Sequence, residues 1–168
     1  MTILYFQEYS HNEVLDFLKK RVTLLSAVVL SGGEATIHNL VPFCKEIKKL
    51  GYKIKLDTNG TNLKLIKKLT SNNLLDFISL DFKAPKNKFK SITSINSYDK
   101  LIETIKYLLK IDFSFELRTT VNTSLIDEND INEIINTIHC IGYNNTYYIQ
   151  NFLETSSNIG NIKKSRSL

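Results

Sequence analysis

The sequence is poor in cysteine and has no long apolar run. Its 168 residues include two cysteines, Cys44 and Cys140, which lie far apart in the chain. They cannot form a disulfide framework or a Cys-x-x-Cys metal site, so a reducing, cytoplasmic setting is the simplest expectation. The most apolar windows, 24–30 and 74–80, are about seven residues long, whereas a bilayer span needs roughly 20. The N-terminus MTILYFQEYS has no basic segment followed by a long apolar one, so we expect neither a membrane segment nor a signal peptide.

Several catalytic signatures are missing as well. The sequence contains no G-x-S-x-G, Walker A, G-x-G-x-x-G or H-E-x-x-H motif, which argues against the enzyme classes that these motifs mark. Its 22 Lys and Arg exceed its 17 Asp and Glu, for a net charge of +5. Most of the lysines fall on the outer faces of predicted helices, a pattern typical of solvated surface. We therefore expect no nucleic-acid partner.

What the sequence does have is a regular alternation of helical and extended apolar patterns. The extended patterns predict strands that begin near residues 27, 53, 77, 114 and 146. The helical patterns predict helices over 11–21, 39–50, 62–70, 98–110 and 128–140. Spacings of about 24 to 37 residues between strand starts suit right-handed βαβ crossovers. We therefore predict an α/β fold, a parallel sheet or partial barrel of about five strands.

Three details complete this prediction. The first strand, Ala27–Leu30, is apolar at every position, as expected when both faces of a strand are covered. Residues 82–96 form the longest predicted connection. Residues 1–152 are expected to form one domain without an internal boundary, and 153–168 a polar, loosely ordered tail.

Polar residues stand at the C-terminal end of each predicted strand. Because parallel strands present these ends to one shared face, the side chains should converge on a single mouth. The pattern predicts a polar cleft for a small zwitterionic or phosphorylated ligand. The residues expected to line it are Glu34, Asp57, Asn59, Asp81, Lys83, Arg118 and Gln150.

Each member of this set also has a structural interpretation. The glycines of the Ser-Gly-Gly-Glu segment are ordinary turn residues. Asp57, Asp81 and Lys83 would serve equally well as a buried ion-pair network. Arg118, inside an apolar strand, must meet an anion. Glu116 or Asp81 would supply that anion as well as a ligand would.

Two further residues, His38 and Cys44, are candidates for reactive groups. His38 lies near the predicted mouth, but a place at the start of a helix explains it better than a role as general base. Cys44 lies on the inner stripe of its predicted helix and is expected to be an inert core thiol. An unrelated β/α enzyme that uses Lys83 or His38 as acid or base on a phosphorylated metabolite stays open as a hypothesis.

Five segments, taken together and in order, resemble a known family. They are VVLSGGEAT, IKLDTNGT, FISLDFKAP, ELRTTV and YYIQNF, and the match runs over 5–152. They resemble the radical S-adenosylmethionine activating proteins, above all those that activate anaerobic ribonucleoside-triphosphate reductase. The activating enzymes of pyruvate formate-lyase are near relatives of these proteins. The order and spacing of five motifs carry this resemblance, since a lone Gly-Gly-Glu would mean little.

The resemblance implies a cofactor pocket. In the family, the Gly-Gly-Glu turn holds the amino group of S-adenosylmethionine, and the aspartates and lysine of the D-T-N-G and D-x-K motifs line the same pocket. In the relatives that activate pyruvate formate-lyase, the two aspartates and the threonine also hold a monovalent cation, here Asp57, Thr58 and Asp81. Arg118 would meet the cofactor's carboxylate or ribose. The residues expected to bind the cofactor are Gly32, Gly33, Glu34, Asp57, Thr58, Asn59, Asp81, Lys83, Arg118 and Gln150.

The resemblance also implies chemistry for which this sequence has no ligands. The family uses a four-iron four-sulfur cluster on a C-x-x-x-C-x-x-C loop to cleave S-adenosylmethionine, and the adenosyl radical takes a hydrogen atom from a glycine of the partner enzyme. No cysteine precedes Cys44 here, so we expect neither cluster ligands nor catalytic residues in this chain. The family's first strand is expected to be missing, which would leave the strand at Ala27 as an exposed edge. Ala35 stands where the family usually has proline.

The expected partner is a glycyl radical enzyme, with anaerobic ribonucleoside-triphosphate reductase preferred. The chain alone is expected to be truncated or inactive. The alternative is a non-catalytic descendant that binds S-adenosylmethionine or a partner protein.

Overall fold

The computed structural model describes residues 9–153. The strands are β1 (Ala27–Leu30), β2 (Lys53–Thr58), β3 (Phe77–Asp81), β4 (Phe115–Val121) and β5 (Tyr147–Asn151). They form one open sheet in sequence order, and every neighbouring pair is parallel. The helices are α1 (His11–Lys19), α2 (Leu40–Lys49), α3 (Leu63–Ser71), α4 (Lys86–Thr93), α5 (Tyr98–Lys110) and α6 (Glu128–Cys140), and a 3₁₀ turn spans Ala35–Ile37. The predicted α/β fold with five parallel strands is confirmed.

Local sequence sets the start of two helices. At α1, Ser10 Oγ accepts a hydrogen bond from the N–H of Glu13, and the Glu13 carboxylate accepts one from the N–H of Ser10. Asp127 and Asp130 form the same reciprocal pair at α6. Such capping boxes satisfy backbone donors that the first turn of a helix leaves without partners. Both helices therefore begin close to where the sequence predicts.

The turn after β2 requires a glycine. Gly60 has a φ of +72°, and a Cβ at this position would lie 2.9 Å from Leu80 Cδ2 and 3.0 Å from Leu101 Cδ1. The Gly60 carbonyl accepts a hydrogen bond from the buried Thr104 hydroxyl at 2.6 Å. This turn is thus held tightly against β3 and α5, which fixes the position of the residues that precede it.

The sheet has two different faces. Ile54, Leu56, Ile78, Leu80 and Leu117 are fully buried and alternate with more polar positions along their strands. Because the strand order follows the sequence and parallel crossovers are right-handed, the connecting helices lie on one face and cover these side chains. The alternate positions point to the other side, here called the open face. The open face carries Val29, Lys55, Asp57, Ser79, Asp81, Glu116 and Arg118.

One prediction about β1 is wrong. Its four apolar residues were expected to be covered on both faces, but Val29, on the open face, is 48% exposed. Among residues 9–153, β1 pairs only with β2 and lies at an edge of the sheet. The resemblance implied this edge position. The run of four apolar residues in β1 therefore does not mean that both faces of the strand are covered.

One helix was not predicted. α4 lies inside the segment 82–96, which the sequence predicts to be a connection. Its sequence KNKFKSIT has a single buried residue, Phe89, so its apolar pattern is too weak to indicate a helix. The predicted tail lies, beyond Leu153, outside the described residues, as does 1–8. No helix within 9–153 is long and apolar enough to cross a membrane.

Candidate functional site

Charged side chains of three strands meet on the open face. Arg118 Nε donates to Asp81 Oδ1 at 2.6 Å, and Arg118 Nη2 lies 3.2 Å from Asp57 Oδ2. Lys83 Nζ donates to the other oxygen of Asp81 at 2.9 Å. Asp81 thus joins two cations, and Arg118 joins two carboxylates. The structure brings together the four charged residues that the sequence placed at the ends of these strands, and it supplies the anion that Arg118 requires.

Arg118 pairs with two carboxylates, whereas one carboxylate oxygen of Asp57 has no hydrogen bond within the described chain. Burial lowers the pKa of Arg118, but the hydrogen bond and the charge of Asp81, together with the charge of Asp57, outweigh that effect and raise it. Asp57 Oδ1 is buried and has no hydrogen-bond partner among residues 9–153, although Lys55 Nζ lies 3.6 Å away. Buried carboxylate oxygens normally accept hydrogen bonds. The described chain therefore leaves the hydrogen-bonding capacity of Asp57 Oδ1 unused.

A second cluster lies next to the first, and two of its members, Lys55 and Ser79, are not among the predicted site residues. Lys55 Nζ donates to Glu116 Oε1 at 3.3 Å, and the buried Ser79 hydroxyl donates to the same oxygen. Glu116, considered as a partner for Arg118, pairs with Lys55 instead. The alternation of KIKLDT places Lys55 on the same face as Asp57 and was the signal available for it. Nothing in the sequence pattern singles out Ser79.

Glu34 connects the turns that follow β1 and β2. Its Oε1 accepts from the N–H and hydroxyl of Thr36 at 3.1 and 2.6 Å, and from the Thr58 hydroxyl at 2.6 Å. Its Oε2 accepts from the N–H of Asn59 at 2.7 Å. Because each oxygen of an ionised carboxylate has about two acceptor positions, Oε2, which accepts from Asn59 alone, keeps room for one more donor. No pattern in the sequence indicates the role of Thr36.

The other members of the predicted set occupy different positions. Gly32 and Gly33 have φ values of +94° and +54° and are exposed, with open space where a Cβ would lie. Gln150 is exposed on β5, level with Thr120 of β4, and has no hydrogen bond to the charged network within the described chain. The Thr58 hydroxyl donates a hydrogen bond to Glu34 Oε1. The cation site of Asp57, Thr58 and Asp81 stays a prediction.

The remaining candidates fit their structural interpretations. His38 is exposed and follows the 3₁₀ turn, two residues before α2. Cys44 is fully buried, so its predicted place in the core is confirmed, and burial raises the pKa of its thiol to about 11, which favours the unreactive thiol form. Cys140 is exposed. The described part of the chain contains no group of three or more His, Cys, Asp or Glu that could hold a metal ion.

The sequence profile of the radical SAM superfamily matches residues 3–141. The chain belongs to the radical SAM superfamily. A protein of Methanocaldococcus jannaschii named as a glycyl-radical enzyme activating enzyme is 30% identical to it over 131 residues, which cover 74% of this chain and 52% of that protein. A protein of Saccharolobus solfataricus whose name gives a GTP 3′,8-cyclase activity is 31% identical over 127 residues, covering 70% of this chain and 41% of that protein.

Solved structures support the same fold. An AdoMet-bound structure of the protein anSMEcpe superposes with a TM-score of 0.72 at 18% identity and covers 97% of this chain and 49% of that one. A domain of pyruvate-formate lyase-activating enzyme from Bacteroides vulgatus gives 0.55 at 17% identity, over 64% of this chain and 68% of that one. The radical SAM chain described here spans about half the length of the curated relatives it matches.

Proposed function

We propose that this radical SAM chain provides the S-adenosylmethionine-binding part of an activating enzyme for a glycyl radical enzyme. The observation that carries the proposal is that Arg118 joins Asp57 and Asp81 on neighbouring parallel strands, while Glu34 accepts a hydrogen bond from Asn59, two residues after Asp57. The M. jannaschii relative, named as a glycyl-radical enzyme activating enzyme, supports the choice among the activities of this superfamily. The two cysteines and the absence of a disulfide framework support a cytoplasmic location for the protein.

The proposed ligand matches the groups that the site offers. S-adenosylmethionine carries an ammonium group, a carboxylate, a sulfonium and ribose hydroxyls. Glu34 Oε2 has one acceptor position left for the ammonium group, next to the exposed turn at Gly32 and Gly33. Asp57 Oδ1 would accept from a ribose hydroxyl, and Arg118 would attract the carboxylate. When bound and reductively cleaved, S-adenosylmethionine supplies the hydrogen-abstracting group of this superfamily.

The residues of this sequence do not fit an iron–sulfur cluster. Such clusters are held by several thiolates at close spacing, whereas the sequence has two cysteines, and Cys44 is buried with a pKa of about 11. What the chain's own residues do is bind and orient the cofactor. We propose that this chain alone does not cleave S-adenosylmethionine, and a binding remnant without catalysis is the second candidate function.

The partner that we propose is anaerobic ribonucleoside-triphosphate reductase. The D-T-N-G-T and R-T-T-V surroundings of Asp57 and Arg118 resemble the proteins that activate this reductase. The test is binding of the full chain to purified anaerobic reductase and, in parallel, to pyruvate formate-lyase, measured by biolayer interferometry. Preferential binding to the reductase is expected, and preferential binding to pyruvate formate-lyase would exclude the reductase as the partner.

Calorimetric titration of the folded chain with S-adenosylmethionine tests the cofactor site. We expect binding, and about tenfold weaker binding by Asp57→Asn, which changes a carboxylate whose Oδ1 accepts no hydrogen bond within the described protein. Asp99→Asn is the matched control, because Asp99 is an exposed aspartate on α5. No binding by the folded chain, or equal weakening in both variants, would overturn the proposed cofactor site.

A further inference from the structure

A small cavity lies beside the candidate site, between the turn after β2 and the α4–α5 corner. Its volume is about 190 Å³, which is room for about six heavy atoms if each takes the volume of a water molecule. Asn59 and Lys83 line it on the side of the site, and Phe89, Ile92 and Ser97 line it on the other. α4, which the sequence did not predict, therefore forms one wall of this cavity.

Ser97 gives the cavity an unsatisfied polar group. The residue is 7% exposed, and its hydroxyl is buried without a hydrogen-bond partner among the described residues. Ser97 occupies the N-cap position of α5, yet its side chain makes no capping hydrogen bond. Serine at an N-cap usually accepts from the first turn of its helix, and a buried hydroxyl without a partner is unfavourable. An occupant of the cavity that bonds to Ser97 would remove this cost.

The polar groups around the cavity are mainly donors. Asn59 Oδ1 accepts from the N–H and hydroxyl of Thr61 at 2.9 and 2.8 Å, so the amide nitrogen is the group of Asn59 that is left to bind a ligand. Lys83 is 44% exposed and uses one donor on Asp81, out of the three that an ammonium group has. The first N–H groups of α5 have no acceptor in the helix. Such a set of donors suits an acceptor, and the helix N-terminus favours a negative one.

The nearest acidic group of α5 does not cancel this preference. Asp99, in the first turn, pairs with Lys86 at 3.2 Å. The Thr93 hydroxyl, also at the cavity, is engaged with the carbonyl oxygens of Phe89 and Ile95 at 2.7 and 3.0 Å. Ser97, Lys83 and Asn59 therefore remain to bind the polar end of an occupant, while Phe89 and Ile92 offer an apolar wall.

We propose that this cavity is a subsite for a short chain that ends in a carboxylate. The carboxylate would bind the Ser97 hydroxyl and the start of α5 near Lys83, and its apolar stem would pack against Phe89 and Ile92. The volume matches the side chain of a glutamate, and a free dicarboxylate would place one carboxylate and part of its stem in the cavity. Because Lys83 also binds Asp81, the occupant would lie at the edge of the cofactor pocket. A glutamate on a loop of the partner enzyme is one carrier, and this choice rests on the proposed function.

An NMR titration of the full chain tests the subsite. We expect sodium glutarate and a blocked Gly-Glu-Gly peptide to give saturable amide shifts at Tyr98 and Asp99, and n-butanol, which has a stem but no carboxylate, to give none. Ser97→Ala should weaken binding about tenfold. Ile92→Phe should abolish binding because the larger side chain fills the cavity. Ser97→Thr keeps a hydroxyl and should therefore still bind. Ser71→Ala, at an exposed serine of α3, is the control that should bind as the natural chain does.

The outcomes distinguish a protein loop from a free carboxylate as the carrier, and they distinguish the subsite from the proposed cofactor site. Tighter binding of the peptide than of glutarate supports a protein loop as the carrier, and the reverse supports a free carboxylate. No saturable shift with either probe, or the same affinity in Ser97→Ala as in Ser71→Ala, would overturn the subsite. S-adenosylmethionine is titrated separately, so its failure to bind overturns the proposed function and leaves the carboxylate subsite standing.

Discussion

Arg118 of β4 and Asp81 of β3 occupy paired positions in the sheet register, and their side chains meet at 2.6 Å on the open face. Asp57 of β2 approaches the same guanidinium at 3.2 Å. One arginine thus joins three consecutive strands just where their C-terminal ends form the candidate site. The attraction within such a partly buried pair is offset by desolvation, so the pair contributes less than the loss of one partner would cost.

Arg118→Ala should lower the free energy of unfolding by about 3 kcal/mol, because Asp57 and Asp81 lose the cation that joins them and keep only Lys55, at 3.6 Å, and Lys83, at 2.9 Å. Arg118→Lys keeps the charge but loses the planar fork that reaches both aspartates, so a loss of about 1 kcal/mol is expected. Urea unfolding followed by circular dichroism measures both. An alanine variant as stable as the natural chain would show that the network is not needed for the fold.

Glu34→Gln should destabilise the protein by about 1–3 kcal/mol, since the buried Thr36 and Thr58 hydroxyls lose a charged acceptor. Glu103→Gln, at an exposed position of α5, should change stability by less than about 0.5 kcal/mol. Thermal unfolding of the three proteins side by side is the measurement. Equal midpoints for the two variants would mean that Glu34 does not hold the two turns together.

Gly60→Ala and Gly51→Ala separate packing from backbone strain. Both glycines have positive φ, +72° and +86°, but a Cβ at Gly51 would meet open space, whereas one at Gly60 would lie 2.9 Å from Leu80 Cδ2. Gly51→Ala should cost about 1 kcal/mol, and Gly60→Ala about 1–3 kcal/mol more because of overpacking. Chemical denaturation measures the difference, and identical losses would contradict the tight packing of this turn.

Asp76 should contribute to the loss of stability in acid. Burial raises the pKa of its carboxyl, but hydrogen bonds from Lys48 and from the N–H of Ile54, with the charge of Lys48, outweigh this and hold the pKa below its ordinary value of 3.8. A carboxyl with a lowered pKa in the folded state stabilises the protein above its unfolded pKa, and this contribution is lost as the pH falls through the folded value.

Asp76→Asn should therefore be less stable than the natural chain near neutral pH and should lose less stability from about pH 5 to about pH 2. Asp99→Asn is the control, at an aspartate whose side chain is 80% exposed. The measurement is the free energy of unfolding at a series of pH values. Parallel pH profiles for the natural chain and Asp76→Asn would contradict the role of this carboxylate.

The two cysteines should differ in reactivity. Cys44 is fully buried and its thiol has a pKa of about 11, whereas Cys140 is exposed. Since the thiolate is the reactive form, iodoacetamide at about pH 8 should modify the folded chain once, at Cys140, and should not modify Cys140→Ser. Mass spectrometry counts the adducts. Rapid modification of Cys44 in the folded protein would show that its helix opens readily.

The sequence predicted which residues lie in the site better than it predicted which of them contact each other. Asp81 and Arg118 were both expected at strand ends, and Asp81 was among the anions considered for Arg118. Lys55 was recoverable from the alternation of its strand, but the pairing of Glu116 with Lys55 depends on which strands are neighbours and in which register. The sequence predicts Ser97 as the cap of the helix that follows it, but the lack of a hydrogen-bond partner for its hydroxyl among the described residues is a property of the packed α4–α5 corner.

By itself, the sequence determined the alternation of helices and strands, the parallel sheet and the set of polar residues at its C-terminal edge. These follow from periodicity and connection length, which local sequence specifies. Only the tertiary structure decided that Glu34 accepts from Thr36, Thr58 and Asn59, that one buried oxygen of Asp57 has no hydrogen bond within the described residues, and that α4 forms one wall of a cavity. The reason is physical: such contacts depend on tenths of an ångström between segments far apart in the chain, and residue order does not set those distances.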